Sequence, residues 1–140
     1  MERDRLAQTV TGDLVVHEGL KLKPYRDTEG KLTIGIGRNL DDVGISKEEA
    51  HALCANDLKG VFDDLDRNIP WWVRLSDDRQ RALVNMCFNL GWPRLSGFKN
   101  MLAAMEKGLF ERAADEALES KWARQVGSRA REISVWIREG

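Results

Sequence analysis

The chain has 140 residues, a length that suits one domain with a single hydrophobic core. Hydrophobic residues make up 42% of it and the formal net charge is −1, which is ordinary for a soluble globular protein and excludes a strongly basic nucleic-acid binder. Because no apolar run approaches the ~20 residues that cross a bilayer and the N-terminus lacks the apolar core of a secretory signal, we expect cytosolic synthesis and no stable membrane association.

The cysteines and histidines do not form a metal-binding pattern. Cys54 and Cys87 lie among apolar neighbours without the spacing of a metal or redox pair, and we interpret both as buried free thiols. His17 and His51 are too few and too widely spaced for a zinc site. We therefore expect the protein to bind no metal ion.

The first third of the chain is predicted to contain a helix followed by a β-hairpin. The helix covers residues 4–18 and stops at Gly19. The hairpin strands are predicted over residues 23–26 and 32–36, joined by a turn in which Gly30 adopts a positive φ. The segment RNLDDVG, which follows the second strand, is predicted to be a polar loop.

Most of the remaining chain is predicted to be helical. Ser46 and Glu49 form a capping-box pattern that opens the longest helix, over about residues 46–68, and Pro70 follows its end. Four more helices are expected: one after Ser76 through ALVNMCFNL, one over FKNMLAAMEK, one over LFERAADEALES, and one from about 128 to 138. Breaks are expected at GWPRLSG and VGS.

These elements predict a mainly helical α+β protein with six or seven helices. We expect a single domain over residues 1–140 that has a small hairpin lobe over about 19–45 and a long linking helix over about 46–68. A helical lobe over 69–140 also includes the N-terminal helix. Two lobes joined in this way predict a cleft between them, where a ligand would bind.

Three polar residues around the hairpin follow the spacing E-x8-D-x5-T: Glu18, Asp27 and Thr33. Hydrolysis of a glycosidic bond needs one protonated carboxyl that donates to the leaving oxygen and one ionised carboxyl that guides water or attacks the sugar. The partial negative charge at the helix end and the apolar segment LVV favour a protonated Glu18. Asp27 lies in a polar turn that suits the ionised role, and the Thr33 hydroxyl is suited to hold a water.

The spacing by itself leaves ordinary structural roles open for the same residues. A Glu at a helix end is usually a surface residue, an Asp is common in turns, and a Thr favours strands. A basic stretch near the C-terminus is either a solvated helix face or a wall facing an acidic polymer. It consists of Lys121, Arg124, Arg129 and Arg131.

The stretch HEGLKLKPYRDTEGKLTIGIG, residues 17–37, resembles the signature of the phage-type lysozymes, glycoside hydrolase family 24. The segments RALVNMCFNLG, LSGFKNML, AADEALESKW and SRARE resemble the helical lobe of that family, so the resemblance extends over nearly the whole chain. It implies a lysozyme-like two-lobed fold. It also implies that Glu18, Asp27 and Thr33 are the catalytic residues.

The resemblance implies an endolysin that cuts the β-1,4 bond between N-acetylmuramic acid and N-acetylglucosamine in peptidoglycan, with inversion and without a cofactor. Such an enzyme serves host lysis by a phage or prophage, waits in the cytosol until a separate holin releases it, and is expected to be a monomer. Arg129 is implied to pair with Glu18, while Trp122 fits core packing equally well. The implied substrate-binding residues are Tyr25, Asn89, Trp122 and Arg129.

The chain also departs from the family pattern. Arg38 stands where the family usually has His, which puts a histidine-linked ion pair in doubt, and RNLDDVG is a shorter connection than usual. The sequence leaves two other functions open. One is a wall-binding module of the same fold with weak or no catalysis, and the other is a helical interaction protein that uses an acidic face.

Overall fold

A computed structural model describes residues 1–140, which form two compact units, Met1–His51 and Ala52–Gly140. The predicted mainly helical α+β class is confirmed, because the chain has eight α-helices, one short 3₁₀ helix and one three-stranded antiparallel sheet. None of the helices combines the length and the hydropathy of a membrane span. The assignment of one domain with the lobe boundaries given above stays a prediction.

The first unit contains one helix and the whole sheet, in the strand order β1-β2-β3. The predicted polar loop after the second strand is wrong in part, because Arg38 and Asn39 pair with Ile34 and Thr33 as a third strand. Neither residue favours strands, so this strand depends on backbone pairing after a tight turn and not on side-chain preference. The elements are α1 (Arg3–Glu18), β1 (Lys21–Arg26), β2 (Leu32–Gly35) and β3 (Arg38–Asn39).

The first unit has almost no fully buried residues. Helix α1 contains no buried residue, and Thr33 is the single residue of 1–51 that is fully buried, with 3% of its surface exposed. A unit of this size without an apolar core depends on hydrogen bonds and ion pairs to hold its turns in place. Those polar contacts therefore decide the geometry of the hairpin.

The start of helix α2 (Lys47–Asn68) is tied to strand β3 by polar contacts. The predicted capping box is confirmed: Ser46 Oγ accepts from the Glu49 amide at 3.1 Å, and Glu49 Oε1 accepts from the Ser46 amide at 2.9 Å. Both terminal nitrogens of Arg38 donate to the Glu49 carboxylate, at 2.8 and 2.7 Å. Arg38 therefore makes a bidentate ion pair from the position where the resembled family usually has His.

This ion pair predicts an acid-sensitive contribution to stability. Hydrogen bonds from Arg38 and then from Ser46 lower the pKa of Glu49 from 4.5 to about 2. Since the folded pKa is depressed, the stabilisation is present above pH 4.5 and is lost as the pH falls from there towards about 2. We expect Glu49→Gln, which keeps the capping box, to show a smaller loss of unfolding free energy over this range in urea titrations.

The matched control for that titration is Glu48→Gln. Glu48 lies in the same first turn of α2, but its side chain is exposed and makes no ion pair. We expect it to follow the wild-type pH dependence. Equal pH dependence of wild type and Glu49→Gln would show that the Arg38 pair contributes nothing to stability.

The second unit contains helices and no strand, and two of its α-helices and its 3₁₀ helix were not predicted. Trp92–Leu95 form a helical turn inside the expected break GWPRLSG, because Pro93 suits the first turn of a helix. Lys121–Val126 form another, capped by the Ser120 side chain, which accepts from the Ala123 amide at 3.1 Å. The elements after α2 are the 3₁₀ helix Pro70–Arg74, α3 (Asp77–Leu90), α4 (Trp92–Leu95), α5 (Lys99–Glu106), α6 (Phe110–Leu118), α7 (Lys121–Val126) and α8 (Ser128–Glu139).

The hydrophobic core lies in the second unit and centres on α3, α5, α6 and α8. Its largest fully buried side chains are Leu65, Leu83, Met86, Leu95, Met101, Met105, Ile133, Ile137 and Cys87.

The interpretation of both cysteines as free thiols is confirmed, but only Cys87 is buried. Cys54 is exposed because it lies on a solvent-facing side of α2, so its predicted burial is wrong. Burial raises the pKa of Cys87 to about 11, which keeps that thiol protonated at neutral pH.

Candidate active site

Asp27 opens the β1–β2 turn and is held there by backbone amides. Its Oδ1 accepts hydrogen bonds from the amides of Glu29 and Lys31, both at 2.9 Å. Its own carbonyl accepts from the amide of Gly30, whose φ of 78° completes the turn. Both side-chain bonds go to Oδ1, which leaves Oδ2 as the oxygen that is available to a ligand.

Thr33 lies on the central strand β2, opposite Tyr25 on β1 and Asn39 on β3. Its Oγ1 donates a hydrogen bond to the carbonyl of Lys31 at 2.9 Å. The same carbonyl accepts from the amide of Asp27, also at 2.9 Å, while the Lys31 amide donates to the Asp27 side chain. The backbone of Lys31 therefore ties Asp27 and Thr33 together.

The hydrogen bonds around Lys31 leave unused acceptors on both side chains. The Thr33 hydroxyl uses its single hydrogen in the bond to the Lys31 carbonyl, so Oγ1 can only accept a further hydrogen bond. Oδ2 of Asp27 presents lone pairs as well.

The Thr33 hydroxyl can be tested by removing it without changing the branched shape of the side chain. The sequence predicts that this hydroxyl holds the attacking water, and loss of one such hydrogen bond corresponds to about 1.5 kcal/mol, or roughly tenfold in rate. We expect Thr33→Val to lower kcat about tenfold or more on cell walls with little change in KM, since the bond matters most in the transition state.

Thr33→Ser is the matched control, because it keeps the hydroxyl and loses only a methyl group. We expect it to retain most of the wild-type kcat. Wild-type turnover in Thr33→Val would mean that the residue serves only the strand.

Glu18 lies where the sequence predicts it, as the last residue of α1. Gly19 ends the helix with a φ of 81° and donates to the Val15 carbonyl. The Glu18 side chain is exposed, and Val16 is 82% exposed, so the expected shielding of the carboxyl by LVV is wrong. The turn between β2 and β3 approaches the carboxyl instead, at Gly37.

Trp122 and Asn89 contact each other in the second unit. Trp122 Nε1 donates to Asn89 Oδ1 at 2.8 Å, and the indole packs edge-on against Phe98 with 6.2 Å between ring centroids. Only 3% of Trp122 is exposed, so the residue belongs to the core. Its remaining surface lines an open groove of about 750 Å³. Leu90 and Lys99 line the same groove.

Arg129 lies in a different groove of the same unit. Its Nε donates to Asn85 Oδ1 at 2.9 Å, beside an apolar groove of about 650 Å³ that Phe62 and Phe88 also line. Trp122 and Arg129 therefore do not share one groove. The implied pairing of Arg129 with Glu18 stays a prediction. The same holds for the substrate-binding roles of Tyr25, Asn89, Trp122 and Arg129. The other members of the basic stretch, Lys121, Arg124 and Arg131, are exposed.

Sequence reasoning missed two acidic residues that support the hairpin. Asp41 Oδ2 accepts from the Leu32 amide at 2.7 Å, and Asp42 forms an ion pair with Lys31 at 3.1 Å. Both residues lie in the segment that was predicted to be a polar loop. Paired carboxylates directly after a hairpin are a signal for this role, since short acidic side chains cap free backbone amides.

Comparison with known proteins identifies the family. The family model described as phage lysozyme matches residues 15–134. The chain belongs to the phage lysozyme family. The hairpin of this phage lysozyme, with Glu18, Asp27 and Thr33, lies inside the matched region. Membership makes the protein a lysozyme-type glycoside hydrolase that degrades peptidoglycan.

Similar proteins include parts of larger proteins as well as lysozymes of similar size. The pre-baseplate central spike protein Gp5 of Enterobacteria phage T4 is 32% identical over 88% of this chain, which covers only 26% of Gp5. A Dictyostelium discoideum protein named "Probable T4-type lysozyme 2" is 31% identical, over 85% of this chain and 88% of its own length. The SAR-endolysin of Escherichia phage Mu is 30% identical, over 92% of this chain and 80% of its own length.

Proposed function

We propose that this phage lysozyme hydrolyses the β-1,4 bond between N-acetylmuramic acid and N-acetylglucosamine, with Glu18 as general acid and with Asp27 and Thr33 holding the attacking water. The observation that carries the proposal is the hydrogen bonding around Lys31, which joins Asp27 and Thr33 and leaves one oxygen of Asp27 and the lone pairs of Thr33 without a partner in the protein. A nucleophilic water needs acceptors of this kind, since they take its protons and leave its lone pair free.

In the proposed reaction, Glu18 gives its proton to the glycosidic oxygen as the bond to the anomeric carbon breaks. Positive charge develops on the sugar ring, and the ionised Asp27 stabilises it. The water held by Asp27 and Thr33 attacks from the opposite face and loses a proton to Asp27. The product then has the inverted anomeric configuration. No cofactor takes part.

We further propose that the protein acts as an endolysin in host lysis. Relatives that carry this activity in their names include the SAR-endolysin of Escherichia phage Mu and an endolysin of Acyrthosiphon pisum secondary endosymbiont phage 1. In this proposal the enzyme accumulates as a monomer in the host cytosol, a separate holin releases it, and it then acts on the wall.

Dye-labelled cell walls separate this enzyme from a wall-binding module of the same fold. We expect soluble labelled fragments to appear with time and in proportion to the enzyme concentration. Adsorption of the protein to intact walls without release of dye would contradict the proposal and favour the binding module.

A further inference from the structure

Gly37 lies in the turn between β2 and β3, and a side chain at this position would meet Glu18. A Cβ built on Gly37 would stand 3.1 Å from Cγ, 3.2 Å from Cδ and 3.2 Å from Oε2 of Glu18. These distances are shorter than ordinary van der Waals contact, and all three atoms belong to the carboxyl-bearing end of one side chain. Gly37 also has a φ of 73°, which favours glycine.

We propose that Gly37 is a positioning residue for Glu18: its bare backbone forms the surface against which the carboxyl rests. The inference rests on the proposed role of Glu18 as the general acid. A methyl group at this position has to displace either the Glu18 side chain or the turn itself by a few tenths of an ångström. If the turn that carries Gly37 moves, the Glu18 carboxyl keeps its position. If the Glu18 side chain moves, the catalytic carboxyl is displaced.

The turn that carries Gly37 is the more firmly held partner. Its two sides are paired in the sheet, Ile34 with Arg38 and Thr33 with Asn39. Arg38, the next residue, is fixed by its bidentate pair with Glu49. The Glu18 side chain is exposed and turns about several single bonds. We therefore expect the carboxyl to move. Since a misplacement of about 1 Å costs up to ~100-fold in rate, a shift of a few tenths of an ångström should cost roughly threefold to tenfold.

Gly35 supplies a matched control two residues away. Its φ of 72° imposes the same backbone strain on any side chain, but a Cβ there meets no atom within 4 Å. Gly37→Ala and Gly35→Ala should therefore lower the melting temperature by similar amounts. They should differ in turnover, because only the first methyl group touches Glu18.

The experiment compares kcat, KM and thermal stability of both variants on solubilised peptidoglycan, alone and combined with Glu18→Gln. We expect Gly37→Ala to lose roughly threefold to tenfold in kcat with KM within about twofold of wild type, and Gly35→Ala to keep most of its kcat. In the Glu18→Gln background, Gly37→Ala should have no further effect, since the group that it displaces no longer transfers a proton.

The outcomes separate this inference from the proposed function. If Glu18→Gln stays active, the role of Glu18 itself fails. If Glu18→Gln is inactive but Gly37→Ala and Gly35→Ala lose kcat equally, or Gly37→Ala is additive with Glu18→Gln, the positioning role is wrong. Should Gly37→Ala not fold, Gly37→Asn and Gly35→Asn repeat the comparison with a residue that tolerates positive φ better.

Discussion

Glu18→Gln should lower kcat on peptidoglycan by at least ~100-fold, the lower range for the loss of general acid catalysis. The amide has nearly the shape of the carboxyl but no proton to donate to the glycosidic oxygen. Because Glu18 is exposed at the end of α1, its replacement leaves no cavity, and we expect the thermal midpoint to stay the same or to rise. Turbidity clearing of purified walls measures the activity, and thermal unfolding measures the stability.

Glu29→Gln is the matched control for this variant. Glu29 is an exposed carboxylate in the same unit, and only its backbone amide takes part in the turn. It should clear walls at close to the wild-type rate. Near-normal clearing by Glu18→Gln would remove Glu18 from the catalytic set.

Asp27→Asn should also reduce kcat by about 100-fold or more, for a different reason. The amide oxygen of Asn still accepts from the amides of Glu29 and Lys31, so the turn is expected to fold as before. What disappears is the negative charge that stabilises the developing positive charge and takes the proton of the water. The loss should appear in kcat, while wall binding in a sedimentation assay stays within about twofold of wild type.

Asp42→Asn removes one negative charge from the neighbouring segment and serves as the control. Asp42 makes an exposed ion pair with Lys31, a type of contact that contributes about 1 kcal/mol or less. Its activity should stay near wild type. If Asp27→Asn retained full turnover, the Asp27 carboxylate would have no catalytic role, and its hydrogen bonds around Lys31 would serve only to hold the turn.

Much of the fold could be predicted because helix boundaries carry strong local signals. The capping box of Ser46 and Glu49, the cap at Ser76 and the stop at Gly19 depend on side chains and on φ preferences that are visible in the sequence. Strand β3 escaped prediction because Arg38 and Asn39 join the sheet through their backbone. The short helix after Ser120 was overlooked although its cap residue was visible.

The sequence names candidate residues for the site, and their catalytic roles stay predictions, but it does not show what holds them in place. Glu18, Asp27 and Thr33 are named by the motif and by the family resemblance, whereas the Lys31 backbone that joins two of them leaves no side-chain signal. The contact of Gly37 with Glu18 depends on how the sheet meets the helix end, which no local pattern encodes. The burial of Trp122 and its bond to Asn89 likewise arise from tertiary packing.

The most direct test of the proposed chemistry is a mass spectrum of purified peptidoglycan after digestion, taken before and after borohydride reduction. Hydrolysis at the proposed bond leaves reducing N-acetylmuramic acid ends, which borohydride converts to the alditol. We predict that these ends dominate in the wild-type digest and are nearly absent with Glu18→Gln. Anhydro-muramic ends that resist reduction, or reducing N-acetylglucosamine ends, would contradict the account.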